Sequence, residues 1–188
     1  KEMKSGMGEM LHYFVVSGVE DFRMYESTFR EAFSNREVLA RIVAKSLEIK
    51  KSYIEIDEFD RNERQVFNYG HSFGHAMESL TNYEMPHGIA VSCGMDMANF
   101  VSVKLGYLQC EIRQEIRELL EQIWDGYVIS NLSIEKFANA LSKDKKNVGK
   151  ELRLILCKGY GKLFKTGIQL DRQFIGLLEE YFDKELVH

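Results

Sequence analysis

Residues 68–88 concentrate the side chains with the richest chemistry in the chain. Asn68-Tyr69-Gly70-His71-Ser72-Phe73-Gly74-His75 is followed by Pro86-His87-Gly88, so three of the five histidines fall within seventeen residues. The others are His12 and the C-terminal His188. Imidazole is scarce, and it serves both as a metal ligand and as a proton carrier near neutral pH, so this crowding points to a site rather than to packing alone. His71 and His75 stand four apart, which on a helix puts both rings on one face. The turn-like break from Thr81 to Pro86 lets a second helix fold back and aim His87 at the same point.

A catalytic zinc site takes three nitrogen or oxygen ligands from the protein and keeps a position open for water or substrate. His71 and His87 are the first two candidates. A carboxylate beside two imidazoles suits Zn2+ or a similar divalent ion, and Glu9 is the candidate for it. Local spacing makes no case for Glu9, since a charge among Met7, Met10 and Leu11 ordinarily sits at the water-facing edge of a helix. For His71 and His75, spacing alone supports a ligand pair and a hydrogen-bonded structural pair about equally. Lys50, Arg64, Lys145 and Lys146 form a cationic set, each of which taken singly reads as a solvated surface charge. Arg64 differs because it lies two helical turns before His71 on the same expected face, where a guanidinium can grip a carboxylate or phosphate in bidentate fashion. Asn68 between them is either a holder of a hydroxyl or phosphate oxygen or a plain surface amide.

The bulk properties narrow the class. The chain has 188 residues, 45% of them hydrophobic, and a net charge of -4. That is enough for one domain with a sizeable core. The charge offers no basic face to nucleic acid. No apolar run approaches the roughly 20 residues of a membrane span, and no signal peptide opens the chain. Cys93, Cys110 and Cys157 show no metal-type pairing and read as buried thiols of a cytoplasmic protein. The opening Lys1-Glu2-Met3-Lys4, without an initiator Met, suggests part of something longer. Gly-x-Gly-x-x-Gly, the P-loop, His-Glu-x-x-His and the His-Asp dipeptide are all absent, which argues against a nucleotide loop, a zincin and an all-helical phosphohydrolase.

One proline and long 3.6-residue periodicities predict a mainly α, multi-helical domain with a small β-hairpin near the C-terminus. Helices are expected at about 4–16, ending at Ser17-Gly18, at 20–33, and from Ser34-Asn35 through Tyr53. The acidic stretch 55–60 reads as the end of the third helix or an elbow. A fourth helix is expected to carry Arg64, Asn68, His71, His75 and Glu78 on one polar stripe, followed by an almost wholly apolar, buried helix from His87 to about Leu105. Cys110 to Trp124, with Glu111, Arg113, Glu115, Arg117 and Glu121, reads as a surface helix. A short helix capped by Ser133, a basic loop at 143–147, a hairpin around Gly159 and Gly161, and a helix starting at Asp171 complete the chain. All 188 residues read as one helical unit without a linker.

The elements Ser5-Gly6-Met7-Gly8-Glu9, Asn68 to Glu78, His87-Gly88 and the Asp144-Lys145-Lys146 loop together resemble the C-terminal domain of 3-dehydroquinate synthase, the head of the sugar phosphate cyclases. The resemblance implies an enzyme whose N-terminal NAD-binding domain is absent from this chain. It implies Zn2+ (or Co2+) held by Glu9, His71 and His87. His75 would then contact substrate and handle protons, with Lys50, Arg64, Asn68 and Lys145 or Lys146, the latter favoured, around the substrate. The implied reaction cyclises a phosphorylated seven-carbon sugar acid to 3-dehydroquinate with loss of phosphate, through transient oxidation by NAD and an aldol closure, in the shikimate route to aromatic amino acids. The family is usually dimeric. Two positions depart from its pattern: His12 stands where a lysine is usual, and Ile89 where His-Gly-Glu is usual. His12, one turn from Glu9, is expected to offer the substrate a cation or a donor with a pKa near neutral. These departures leave open a sister cyclase with another sugar phosphate or a related metal-dependent polyol dehydrogenase. A non-catalytic metal-binding domain is the third reading, and the isolated chain is expected to be inactive in any of them.

Overall fold

The computed structural model of the chain describes residues 1–124, 127, 133–144, 147 and 151–186. The described elements are α1 (Glu2–Ser17), α2 (Val19–Thr28), α3 (Arg36–Ile56), α4 (His71–Leu80), α5 (His87–Lys104), α6 (Cys110–Trp124), α7 (Ile134–Ser142), β1 (Glu151–Cys157), β2 (Leu163–Gln169) and α8 (Arg172–Lys184). Eight helices and one antiparallel hairpin are thus described, the mainly α architecture that the periodicities predict. The hairpin runs in register from Glu151 opposite Gln169 to Cys157 opposite Leu163. Side chains cap the helices where the sequence places Asx or Ser residues. Asn35 accepts from the backbone of Glu37 and Val38, Ser133 from Lys136, and Asp171 from Phe174, each cap contributing about 1 kcal/mol. Among the described residues, no helix is long and apolar enough to cross a membrane.

Helix α5 is the axis of the domain. Every residue from Gly88 to Ser102 is buried, as expected of a helix without a polar face. Ile89, at the position of the missing glutamate, is fully buried in that core. Helices α1, α4 and α6 and strand β1 all pack against α5. The approach of α1 and α4 is backbone on backbone. A Cβ on Gly88 would lie 1.8 Å from the carbonyl oxygen of Ser5, and one on Gly94 would lie 2.0 Å from that of Gly70. Ser5 reinforces the first crossing, its hydroxyl accepting the backbone N–H of Gly88 at 3.0 Å.

Four expectations are corrected. Residues 63–80 are not one helix: Glu63–Asn68 form a 3-10 turn, Gly70 takes a left-handed φ of 79°, and α4 starts at His71. The polar stripe is therefore broken between Asn68 and His71. The elbow before it is organised by Asp57, whose buried carboxylate accepts the backbone N–H groups of Arg61, Asn62 and Arg64. The second helix stops at Thr28, and 31–33 form a separate 3-10 turn. Cys110 is exposed rather than buried, because it opens α6 at the surface. Finally, α6 does not turn all its charges to water. Arg113 and Arg117 fold inward onto the carboxylate of Asp96, which is fully buried in α5, with bonds of 3.0, 3.0 and 2.8 Å, and Tyr181 of α8 adds a fourth at 2.9 Å. Glu185 takes a second bond from each arginine, so the network clamps α6 and α8 to α5.

Two substitutions test these constraints. Gly88→Ala is expected to lower the urea midpoint, at a cost of about 1–3 kcal/mol from overpacking. Gly6→Ala, at an exposed position of α1, has nothing within 4 Å of the new methyl and is expected to stabilise slightly. Equal effects at the two positions would refute the crossing geometry. Asp96→Ala removes the fully buried carboxylate that Arg113 and Arg117 share, leaving them only Glu185 in common, and is expected to cost about 3–5 kcal/mol in equilibrium unfolding.

Candidate metal centre

Ser5, Gly8 and Glu9 share one end of α1, and the crossing at Gly88 carries the first residue of α5, His87, over Glu9. His71, the first residue of α4, reaches the same point because Gly70 and Gly74 let α4 lie against the backbone of α5. Glu9 Oε2 lies 3.7 Å from His71 Nε2 and 3.5 Å from His87 Nε2. These separations are too long for good hydrogen bonds, and the buried Oε2 has no hydrogen-bond partner. With bonds of about 2.0–2.2 Å, two ligand atoms on a tetrahedral ion lie roughly 3.3–3.6 Å apart. The three donor atoms therefore fit a shared divalent cation, and the two-imidazole, one-carboxylate set suits Zn2+ or Co2+.

The surroundings prepare these donors. His71 Nδ1 donates to the Tyr69 carbonyl at 3.2 Å, and His87 Nδ1 donates to Glu78 Oε1 at 3.0 Å. Each bond fixes the ring tautomer that leaves Nε2 bare toward Glu9. Tyr69 is itself held by its hydroxyl donating to Asn99 Oδ1 on α5 at 2.6 Å. Burial opposes ionisation of Glu9, but the surrounding imidazoles, His71 foremost, outweigh it and hold the carboxyl below its ordinary value.

The remaining candidates are placed unevenly. His75 lies one turn along α4, exposed, its ring 5.7 Å from His71 and 5.8 Å from His87. Asn68 donates to the Gln65 carbonyl at 3.1 Å within the 3-10 turn. Arg64 is not on the helix face of His71. It sits at the elbow, where Nη1 donates to the Glu58 carbonyl at 2.9 Å. Lys50 is an exposed residue of α3 with Nζ 6.0 Å from the Tyr13 ring. Lys145 and Lys146 lie outside the described residues. Asp144, which precedes them in the sequence, accepts a bond from Ser72 of α4 at 3.1 Å.

His12 departs from expectation. It is 1% exposed and both ring nitrogens lack a hydrogen-bond partner, although Nδ1 lies 4.0 Å from Glu9. Burial pushes its pKa down to about 3, against the opposing pull of Glu9. It is therefore a neutral donor and acceptor at pH 7, not a cation. Two neighbours went unassigned in the sequence. Tyr13, four residues after Glu9, packs its ring 3.8 Å from that of His12, and burial, then Glu9, raises its hydroxyl to about 12. Glu78 was visible as a member of the stripe, but only the fold shows that it faces His87.

The helical fold thus carries a cluster of three donors at ligand spacing, a candidate centre for a divalent cation. A family model described as 3-dehydroquinate synthase C-terminal matches residues 6–147, and the chain belongs to that family. It is 32% identical to a 3-dehydroquinate synthase of Campylobacter jejuni over 96% of this chain and 53% of that protein. It is also 32% identical to that of Dictyoglomus turgidum over 96% of this chain and 51% of the relative. The chain thus spans about half the length of these relatives. In fold it is similar to a 2-epi-5-epi-valiolone synthase of Streptomyces hygroscopicus with NAD+ and Zn2+ bound, with a TM-score of 0.82 and 16% identity over 97% of this chain and 52% of that one. A 2-deoxy-scyllo-inosose synthase complexed with carbaglucose-6-phosphate, NAD+ and Co2+ gives a TM-score of 0.75 at 18% identity, over 95% and 51% of the two chains.

The orphaned imidazole gives a direct test. His12→Leu is expected to raise the stability of the metal-free chain at pH 7 by about 1–3 kcal/mol, because it removes unsatisfied buried groups. Below about pH 6.5 the unfolded chain takes up a proton that folded His12 refuses, so wild-type stability falls with pH. The advantage of His12→Leu should therefore grow on acidification; destabilisation at both pH values would show that His12 has a partner.

Proposed function

We propose that this chain is the metal- and substrate-binding part of a 3-dehydroquinate synthase-like cyclase. It would work with an NAD-binding domain of a longer, dimeric, cytoplasmic protein, and convert a phosphorylated seven-carbon sugar acid to 3-dehydroquinate with release of phosphate. The observation that carries this reading is the convergence of Glu9, His71 and His87 at ligand spacing on the family's helical scaffold. A bound Zn2+ or Co2+ would supply Lewis-acid polarisation of the substrate's oxygens.

The chain's own groups divide the remaining work. Glu9, His71 and His87 would hold the cation, with the Tyr69 carbonyl and Glu78 fixing the rings. His75 at the mouth would receive and return protons on substrate hydroxyls. Arg64, Lys50 and the lysines at 145 and 146 would grip carboxylate and phosphate, and Asn68 a hydroxyl. Holding several anionic and hydroxyl groups at once fixes the reacting carbons in register, where orientation supplies a large part of the rate. The second reading, a sister cyclase acting on another sugar phosphate, is supported by His12, which is buried and neutral where the family's pattern has a lysine.

The test uses a two-domain protein carrying this chain, supplied with NAD and Co2+ or Zn2+. Phosphate release from the seven-carbon sugar acid phosphate is expected, falling more than about 100-fold in Glu9→Gln or His71→Ala, beyond what loss of an outer-shell partner does. Release from another sugar phosphate but not from the seven-carbon acid would replace this reading with the sister cyclase. Turnover by the 188-residue chain alone would refute the division of labour.

A further inference from the structure

His87 faces two ways. Its Nε2 points at Glu9, while its Nδ1 lies 3.0 Å from Glu78 Oε1. On that second side His75 and Glu78, three apart on α4, bring one imidazole and one carboxylate to within 4.8 Å of a His87 donor atom. The rings of His75 and His87 lie nearly parallel, 26° apart, with centroids at 5.8 Å. This is a second two-imidazole, one-carboxylate set, and unlike the inner one it is open to solvent, since His75 and His87 are both exposed.

We infer that His75, Glu78 and His87 form an outer site for a divalent transition-metal ion, weaker than the inner centre and antagonistic to it through the shared His87. The donor set suits Zn2+, Co2+, Ni2+ or Cu2+, not Mg2+ or Ca2+. It is weaker because ion and ligands stay in contact with water, and because an ion there must displace the Nδ1 proton that Glu78 accepts. The antagonism follows from the imidazole. A cation on Nδ1 displaces the Nδ1 proton to solvent and takes Glu78 away as its acceptor. If Nε2 already carries the inner cation, His87 must then become a bridging imidazolate between two positive ions. Each ion therefore lowers the affinity of the other by the same factor. An excess of metal would oppose the function of the centre that a stoichiometric amount serves. Only the antagonism rests on the proposed inner centre; the outer triad stands on its own donors.

Calorimetric titration of the 188-residue chain with Co2+, followed by the visible absorption of the bound ion, decides the matter. Two ions per chain are expected, the second at least about 10-fold weaker. His75→Ala, an exposed position, should abolish the weak phase and leave the tight one. Glu78→Gln should abolish the weak phase and weaken the tight one about 10–100-fold, as loss of a ligand's orienting partner does. Glu9→Gln should remove the tight phase and strengthen the outer ion's binding. One ion per chain in the wild type, or two ions retained in both His75→Ala and Glu78→Gln, would overturn the outer site. A tight phase that ignores Glu9→Gln while the weak phase vanishes in His75→Ala would instead sink the inner centre and leave the outer one standing.

Discussion

The centre depends on how closely three helices approach. Glu9, His71 and His87 come from parts of the chain separated by 62 and 16 residues, and none of their side chains is long. They meet because α1 and α4 lie on α5 with glycine at the crossings, so close that a methyl on Gly88 would overlap the Ser5 carbonyl oxygen. Side chains of ordinary size would hold the axes about 8–10 Å apart and leave the donors short of a common point. The glycines cost helix propensity, roughly 1 kcal/mol each relative to alanine. Burial of the apolar residues all round α5 offsets that cost.

Around the crossings the polar groups fall into two kinds. Those that hold the scaffold are saturated: Asp96 takes bonds from two arginines and a tyrosine, and Asp57 takes three backbone N–H groups. Those at the centre are not. Glu9 Oε2 and both nitrogens of His12 are buried without partners. An unmet buried polar group costs about 1–3 kcal/mol, and in a native structure it asks for a reason. Asn99 Nδ2 and the Tyr127 hydroxyl are also buried without a partner, but three of these five atoms gather on Glu9 and His12, beside the bare Nε2 atoms of His71 and His87. That concentration of unmet groups leaves room at the centre for something other than protein.

Much of this was legible in the residues. The helical periods, the caps at Asn35, Ser133 and Asp171, and the almost wholly apolar α5 follow from local chemistry that tertiary structure does not override. Glu9 was not legible from spacing. Its relation to His71 and His87 is made by a helix crossing, and only the family resemblance named it. The stripe from Arg64 to Glu78 misled for a definite reason: periodicity registers polar spacing but not the left-handed Gly70 that breaks it. Arg113 and Arg117 misled in a similar way, since a charge pattern does not reveal that a buried aspartate faces it. His12 was the hardest to read. Its proximity to Glu9 follows from the helix, while its burial, and hence its neutrality, follows from the packing of Tyr13 and Phe67 over it.

These placements separate two properties that can vary independently. The cation's donors are fixed by α1, α4 and α5, whose contacts are backbone against backbone and tolerate little change. Two described candidates for anion binding stand elsewhere: Lys50 on the exposed side of α3 and Arg64 on an elbow held by Asp57. A change in the elbow moves a guanidinium without disturbing the crossings. A change at His12 alters the wall of the centre without touching a donor. Metal chemistry can therefore persist while substrate preference drifts. The two solved cyclases of similar fold are named for different products, so the fold by itself fixes no substrate.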